Sequence, residues 1–145
     1  MARNILINSY PPLLKWAEDK LREKGINARF DSESVAVAVD NGEQILGCVI
    51  FHGYNGANVQ MSIVTTCQKW AGKDYIHQCF EFAFKHLGVA HISTFVREDN
   101  QKSLTLTERL GFTVEGKMRS SVMDMEGNIH DGIVFGMLKQ ECRWL

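Results

Sequence analysis

A polar loop runs into a helix within residues 65–87, and this junction is where the sequence first suggests chemistry. Residues 67–72 show no apolar period, whereas from Lys73 apolar residues recur at three- and four-residue steps and predict a helix. Residues 58–66 are rich in β-branched side chains and predict a strand. Such a unit directs free helix N–H groups and the positive end of the helix dipole at the loop, where a phosphate can bind. Because most helix N-termini bind only water, the junction alone leaves both interpretations open.

Composition limits the classes of protein to which the chain can belong. Its 145 residues suggest one domain over 1–145, with an ordinary 45% apolar share. The net charge of -1, without long runs of one sign, argues against nucleic acid or an anionic membrane as partners. The cysteines show no CxxC spacing, so we expect no metal site: Cys48, Cys67, Cys79 and Cys142. With no recognisable signal peptide or membrane-spanning run, the sequence predicts a cytoplasmic protein.

The elements around the junction follow from periodicity and turn residues. An apolar stripe predicts a helix from Pro12 to a stop at Gly25, and its charged side chains, Lys24 included, predict a solvated face. Strands are predicted at residues 34–39, 44–52, 58–66, 91–96, 112–119 and 132–138, and the short apolar run 4–8 predicts either a first strand or a docking arm. Two further helices are predicted at residues 73–87 and 103–110. This order predicts an α+β domain with a mixed, mostly antiparallel sheet and helices on both of its faces.

Three blocks of sequence carry a resemblance to a known family. They are residues 82–92 (FAFKHLGVAHI), 96–103 (VREDNQKS) and 108–116 (ERLGFTVEG). They resemble, with the same spacing, passages of the GNAT superfamily of N-acetyltransferases, and in particular its RimJ/RimL-like branch and small phage-encoded members. The resemblance extends from about residue 58 to the end of the sequence. It implies a GNAT fold whose two central strands, here 58–66 and 91–96, splay apart.

The resemblance also implies a binding site for acetyl-CoA, the co-substrate of the family. It places the pyrophosphate loop on residues 67–72, where only Gly72 matches the family pattern. The implied binding residues are Thr65, Cys67, Gln68, Lys69, Trp70, Ala71, Gly72, Lys73, Asn100 and Ser103. Cys67 stands where Gln or Arg is usual and Trp70 where Gly is usual. Trp70 either stacks on the acceptor or wedges the helix start against the sheet, and Asn100 either binds the CoA arm or caps the next helix.

Catalytic groups are harder to assign from the sequence. The family transfers the acetyl group by direct attack of an amine on the thioester, which needs a neutral amine and often a proton donor for the thiolate. Thr107 stands where many relatives have a tyrosine acid, and Gln60 lies on the strand that often supplies a glutamate base. The candidates are Ser103 for the thiolate, and Glu98 and His91 for the base, with His52 and Asp99 as further options.

The function that follows is an acetyl-CoA-dependent N-acetyltransferase. Its acceptor is an amine on a protein N-terminus, a lysine or a small molecule. One alternative is a GNAT-fold module that binds CoA or a protein without catalysis, because positions 60, 70 and 107 depart from the family pattern. Another is transfer of a longer acyl chain. A homodimer is possible, since Arg143 and Trp144 in the tail pack either against a second subunit or against their own domain.

Overall fold

The computed structural model describes residues 3–8, 11–67 and 70–145. Its strands are β1 Asn4–Asn8, β2 Val35–Asp40, β3 Ile45–His52, β4 Asn58–Thr65, β5 His91–Arg97, β6 Thr113–Met123 and β7 Ile129–Leu138. Its helices are α1 Pro11–Glu23, α2 Lys73–Glu81 and α3 Gln101–Leu110. A π-helical segment, Phe82–His86, continues α2, and a short 3₁₀ turn, Lys139–Glu141, follows β7.

The seven strands of the described residues form one sheet in the order β1-β2-β3-β4-β5-β7-β6. All neighbours pair antiparallel except β4 and β5, which pair in parallel at the centre. α2 makes the crossover between these two strands, as parallel neighbours require. The structure therefore confirms the predicted α+β architecture with a mixed, mostly antiparallel sheet.

Alternating side-chain size on β2 lets helices pack on both faces of the sheet. Ala36 and Ala38 face α1 in one apolar cluster, while Val37 and Val39 face α2 in the larger one. Successive strand side chains point to opposite faces, so this small–large alternation sends alanine to one helix and valine to the other. The Tyr75 hydroxyl of α2 is buried in the larger cluster and donates to the carbonyl of Val37 at 2.5 Å. Helices on both faces, as predicted, thereby fix β2 to β4 from two sides.

Element boundaries differ from the predictions in a few places. The helix predicted over 73–87 changes to π geometry at Phe82, where the Leu87 N–H donates to the Phe82 carbonyl at 2.8 Å. The hairpin of β6 and β7 is longer than predicted, because pairing continues to Met123↔Ile129 beyond an irregularity between Met118 and Val122. Such changes depend on tertiary pairing, which local periodicity does not report.

Candidate acetyl-CoA and acceptor site

The two central strands separate after a short parallel ladder. β4 and β5 pair at Asn58↔His91, Val59↔Ile92 and Gln60↔Ser93. Beyond that point β4 still pairs with β3 as far as Thr65, and β5 still pairs with β7 as far as Arg97. Among the described residues, no strand pairs with the facing edges 61–65 and 94–97. We call the space between these edges the gap, and it has the form of a missing strand.

The loop after α1 spans the open end of the gap. Lys24 Nζ donates to the carbonyl of Thr65 at 2.6 Å, at the end of β4. Arg97, at the end of β5, donates from Nη1 to the carbonyl of Gly25 at 3.1 Å. Burial, followed by the nearby positive charge of Lys102, lowers the pKa of Lys24. Lys24 is exposed, as the predicted solvated face requires, and its ammonium group in addition binds the backbone at the end of β4.

The predicted pyrophosphate loop lies at the same end of the gap. Thr65 and Cys67 are half-buried, and Ala71 and Lys73 are exposed. Gln68 and Lys69 lie outside the described residues. Gly72 is the N-cap of α2 and supplies no side-chain cap, so the first-turn N–H groups remain open to another acceptor. This arrangement fits the phosphates of CoA at the helix N-terminus.

Trp70 has a structural partner that the sequence did not reveal. The indole is 8% exposed and meets the Tyr75 ring edge-on, with the ring centroids 6.2 Å apart. A Cβ atom on Gly47 of β3 would lie 2.9 Å from the Trp70 Cβ, so glycine there is what allows this approach. Of the two predicted roles of Trp70, the structure favours the wedge, because the indole packs in the core on the α2 side of the sheet.

Arg3 approaches the loop from the start of β1. Its guanidinium donates to the carbonyl of Trp70, and its Nη1 would lie 2.7 Å from a Cβ placed on Gly72. The positive charge of the Arg3 guanidinium thus lies beside the N-terminus of α2, in addition to that of the Lys73 ammonium group. Sequence reasoning missed Arg3 because nothing in a lone arginine, 69 positions before Gly72, predicts that it returns to this loop.

Asn100 and Ser103 lie at the other side of the open end, where β5 leads into α3. Asn100 Oδ1 accepts from the Ser103 backbone N–H at 3.2 Å, which makes Asn100 the N-cap of α3. The capping interpretation of Asn100 is therefore present in the structure. The cap uses only the Oδ1 atom of the Asn100 carboxamide. Contact between its NH₂ group and the CoA arm therefore stays a prediction.

Thr107 is 5% exposed on α3. Its hydroxyl donates to the carbonyl of Ser103, one turn earlier, at 2.6 Å. The hydroxyl proton is thus committed to the helix backbone, in keeping with the expectation that threonine does not replace the tyrosine acid.

The base candidates His91 and Glu98 lie at opposite ends of β5. His91 pairs with Asn58 at the closed end of the ladder, and Glu98 follows the last residue of β5. Seven residues of strand separate the two by about 23 Å. His91 Nδ1 lies 2.7 Å from Asn58 Oδ1, and Nε2 lies 2.8 Å from Glu115 Oε2, so both ring nitrogens have partners. His91 and Glu98 therefore do not form one catalytic pair.

One face of the gap is exposed, and the other is buried. On the α2 side, Val59 and Met61 of β4 and Ile92 of β5 are buried in the core. On the opposite side, Gln60 is exposed, and Phe95 is exposed although its ring lies against Gly132 of β7. We call this side the acceptor face. α1 packs over β2 to β4 and leaves the β5 part of it uncovered.

Comparison with known families decides the assignment. The acetyltransferase (GNAT) domain family matches residues 7–113. The chain belongs to the GNAT acetyltransferase family. Membership confirms the prediction of an N-acetyltransferase, and the family in general uses acetyl-CoA. The match does not distinguish the RimJ/RimL-like branch from others within GNAT.

Individual relatives agree with the family. The GNAT chain is 27% identical over 132 residues to the SPbeta prophage-derived uncharacterized N-acetyltransferase YokL of Bacillus subtilis (strain 168), covering 88% of this chain and 70% of that protein. It shares its fold with spermidine N-acetyltransferase SpeG variants from Vibrio cholerae. One has a TM-score of 0.77 at 16% identity over 100% of this chain and 98% of that one. Another solved structure, described as that of a putative acetyltransferase, has a TM-score of 0.67 at 22% identity over 77% of this chain, which spans 60% of that one.

Two other kinds of feature are absent from the described residues. No helix within 3–8, 11–67 and 70–145 has the length and apolar character needed to cross a lipid bilayer. Over the same ranges, no group of His, Cys, Asp and Glu side chains is arranged to hold a metal ion.

Proposed function

We propose that this GNAT protein transfers an acetyl group from acetyl-CoA to an amine by direct attack. The observation that carries the proposal is the gap, because β4 and β5 remain ordered beyond Gln60↔Ser93 with facing backbone edges that no strand occupies. An extended pantetheine arm matches the spacing and hydrogen-bonding groups of a missing strand.

The residues around the gap suit the parts of acetyl-CoA. The N–H groups of the first turn of α2 would receive the pyrophosphate, with Arg3 and Lys73 supplying positive charge. The carboxamide NH₂ of Asn100 and the Ser103 hydroxyl would contact the arm near α3. Gly72 and the buried Trp70 would fix the loop backbone, replacing the additional glycine of the family pattern.

The chain's contribution to the chemistry is orientation of the two reactants. The acceptor face is exposed at Gln60 and Phe95, whereas the α2 side is filled by the core, so we infer that the amine enters across the acceptor face. Holding the amine beside the thioester replaces a bimolecular encounter with an oriented one. The acceptor class follows the family: a protein N-terminus, a lysine or a small amine such as the polyamine named for the Vibrio cholerae structures.

Binding and transfer require separate experiments. Isothermal titration with acetyl-CoA, CoA and pantetheine tests the gap, and we expect the tightest binding for the two full nucleotides. Thiol release from acetyl-CoA, followed with a panel of peptides, lysine derivatives and polyamines, tests transfer. Propionyl- and butyryl-CoA in the same assay test the preference for acetyl. No binding of acetyl-CoA at high micromolar concentration would contradict the proposal.

A second candidate is a GNAT-fold module that binds CoA without transferring the acetyl group. It is favoured by Thr107, whose hydroxyl proton is held by the Ser103 carbonyl at 2.6 Å and is not offered to a thiolate. Heat of binding without thiol release for any amine would select this candidate over the enzyme.

The tail residues Arg143 and Trp144 bear on the proposal of a homodimer. Trp144 Nε1 donates to the Leu110 carbonyl at 2.8 Å, and the Arg143 guanidinium donates to the Arg109 carbonyl. Both residues thus contact α3 of their own domain, which supports the second interpretation of the tail, and a homodimer stays a proposal.

A further inference from the structure

A histidine and a serine from neighbouring strands meet at the point where the gap begins. His52 is the last residue of β3, and its Nε2 lies 3.0 Å from Ser62 Oγ on β4. Ser62 follows Gln60, the last β4 residue in the parallel ladder, by two positions and therefore points to the same face. Gln60 lies on the acceptor face, so the pair stands at the edge of the gap on the side from which we infer that the amine arrives.

The surroundings of His52 favour a neutral ring. Burial lowers the pKa of His52, and the nearby carboxylate of Asp31 opposes this in part. The Phe30 ring packs on the imidazole, with the two centroids 5.5 Å apart. Behind Phe30, the Glu18 carboxylate of α1 accepts the Phe30 backbone N–H at 2.7 Å. From β4, the neighbours Gln60 and Ser62 carry no charge. A neutral imidazole with a hydroxyl as its partner can accept a proton near neutral pH.

His91 is a weaker candidate on the same face. Both of its ring nitrogens face oxygen atoms, of Asn58 and of Glu115, and it lies at the closed end of the ladder. His52 has its Nε2 directed at a hydroxyl, which can relay a proton in either direction.

We propose that His52, acting through Ser62, removes the proton from the acceptor amine. The proposal rests on the acetyl-transfer function proposed above. The Ser62 hydroxyl takes a proton from the ammonium group and passes its own proton to His52 Nε2. The freed amine forms a C–N bond with the thioester carbonyl carbon, and the C–S bond breaks with its electron pair on sulfur. The ammonium nitrogen loses two protons in all. His52 passes one of them to the thiolate sulfur, and the other leaves to solvent.

The test compares His52→Gln and Ser62→Ala with the control His86→Gln, an exposed histidine of the π-helical segment, using the best amine from the acceptor panel. We expect kcat/KM of the wild-type protein to rise with pH through one ionisation, at the pKa that NMR titration gives for His52 in the free protein. His52→Gln loses that ionisation and lowers kcat/KM at least about 100-fold, with the KM for acetyl-CoA unchanged. His86→Gln keeps both the ionisation and the rate.

A readout independent of activity comes from the imidazole itself. We expect Ser62→Ala to move the NMR-determined pKa of His52, while the thermal melt of the variant stays close to that of the wild type. The inference is overturned if active wild-type protein and His52→Gln share the same pH profile, or if Ser62→Ala leaves the His52 pKa in place. Absence of transfer by the wild-type protein would instead overturn the proposed function, and this role of His52 with it.

Discussion

Thr94 Oγ1 donates a hydrogen bond of 2.8 Å to the carbonyl of Met61, directly beyond the last backbone pair of β4 and β5. The Thr94 hydroxyl thus binds the first backbone carbonyl of β4 that lies beyond the parallel ladder. Thr94→Val removes the hydroxyl at nearly constant shape, and we expect it to lower the free energy of unfolding by about 1 kcal/mol. Urea unfolding measures this, and Thr94→Ser, which keeps the hydroxyl, serves as the control. Loss of stability in Thr94→Ser together with none in Thr94→Val would show that the methyl group, and not the hydrogen bond, stabilises this point.

The contact between Gly47 and Trp70 gives a second prediction. Gly47→Ala places a Cβ 2.9 Å from the Trp70 Cβ, so the indole has to shift. We expect a loss of about 1–3 kcal/mol in the free energy of unfolding, as for other overpacked cores. Gly116→Ala is the matched control, because a Cβ there meets no atom within 4 Å among the described residues. If both alanines had equal effects, close packing at Gly47 would not be the cause.

Thiol labelling tests the position of the predicted pyrophosphate loop. Burial raises the pKa of Cys48 to about 12 and also raises that of Cys79, so both thiols are expected to resist alkylation at pH 8. Half-buried Cys67 and Cys142 are expected to react first. If residues 67–72 bind CoA, acetyl-CoA slows labelling of Cys67 and leaves Cys142 unchanged. Mass spectrometry locates the label, and Cys67→Ser identifies the protected peptide. Equal labelling of Cys67 with and without acetyl-CoA would place the co-substrate elsewhere.

Asn100 allows capping and binding to be measured separately. Asn100→Ala removes the acceptor of the Ser103 N–H and is expected to cost about 1 kcal/mol of stability. Asn100→Ser retains a capping oxygen and loses the carboxamide NH₂ group. If that group binds the CoA arm, both variants bind acetyl-CoA more weakly than the wild-type protein in isothermal titration. Only Asn100→Ala melts at a lower temperature. Full affinity in Asn100→Ser would restrict Asn100 to its role as a cap.

The turn between β6 and β7 predicts a dependence of stability on acid pH. A hydrogen bond from His130 at 2.7 Å is the main cause that lowers the pKa of Asp124, and backbone N–H groups of Asn128 and Glu126 contribute. A carboxyl group whose pKa is lower in the folded state stabilises the protein above its unfolded pKa of about 3.9, and this stabilisation is lost as the pH falls towards the folded value.

Asp124→Asn keeps an oxygen for the backbone N–H groups and removes the charge beside His130. We expect its melting temperature to lie below that of the wild-type protein at pH 6, where the carboxylate is charged, with the difference shrinking steadily as the pH falls below about 4. Melting temperatures between pH 2 and 7 check this. A constant difference over the whole range would rule out the ionised carboxylate as the cause.

The sequence predicts the strands, the helices and the family because these depend on local periodicity and on contiguous motifs. Residues 82–116 contain the blocks that resemble GNAT proteins, and the structure brings their Asn100 and Ser103 to the same end of the gap as Gly72. Whether these residues bind acetyl-CoA stays a prediction.

Contacts between residues far apart in the sequence could not be predicted in this way. Arg3 reaches Gly72, Lys24 reaches Thr65, and Gly47 receives Trp70, each through the packing of separate elements. Lys24 illustrates the reason: on the sequence it is one charge among several on a polar helix face. Its partner is a backbone carbonyl, which leaves no trace in the amino-acid sequence.

The loop after α1 also has a mechanical consequence. The outer parts of the sheet, β1 to β4 on one side and β5 to β7 on the other, are each continuously paired, and they join through the short ladder that ends at Gln60↔Ser93. At the far end, the hydrogen bonds of Lys24 and Arg97 hold the edges together, and each is worth about 1 kcal/mol. The core on the α2 side also joins the two halves, through Val59 of β4 and Ile92 of β5. The width of the gap at its open end is therefore set by a loop that lies outside the sheet.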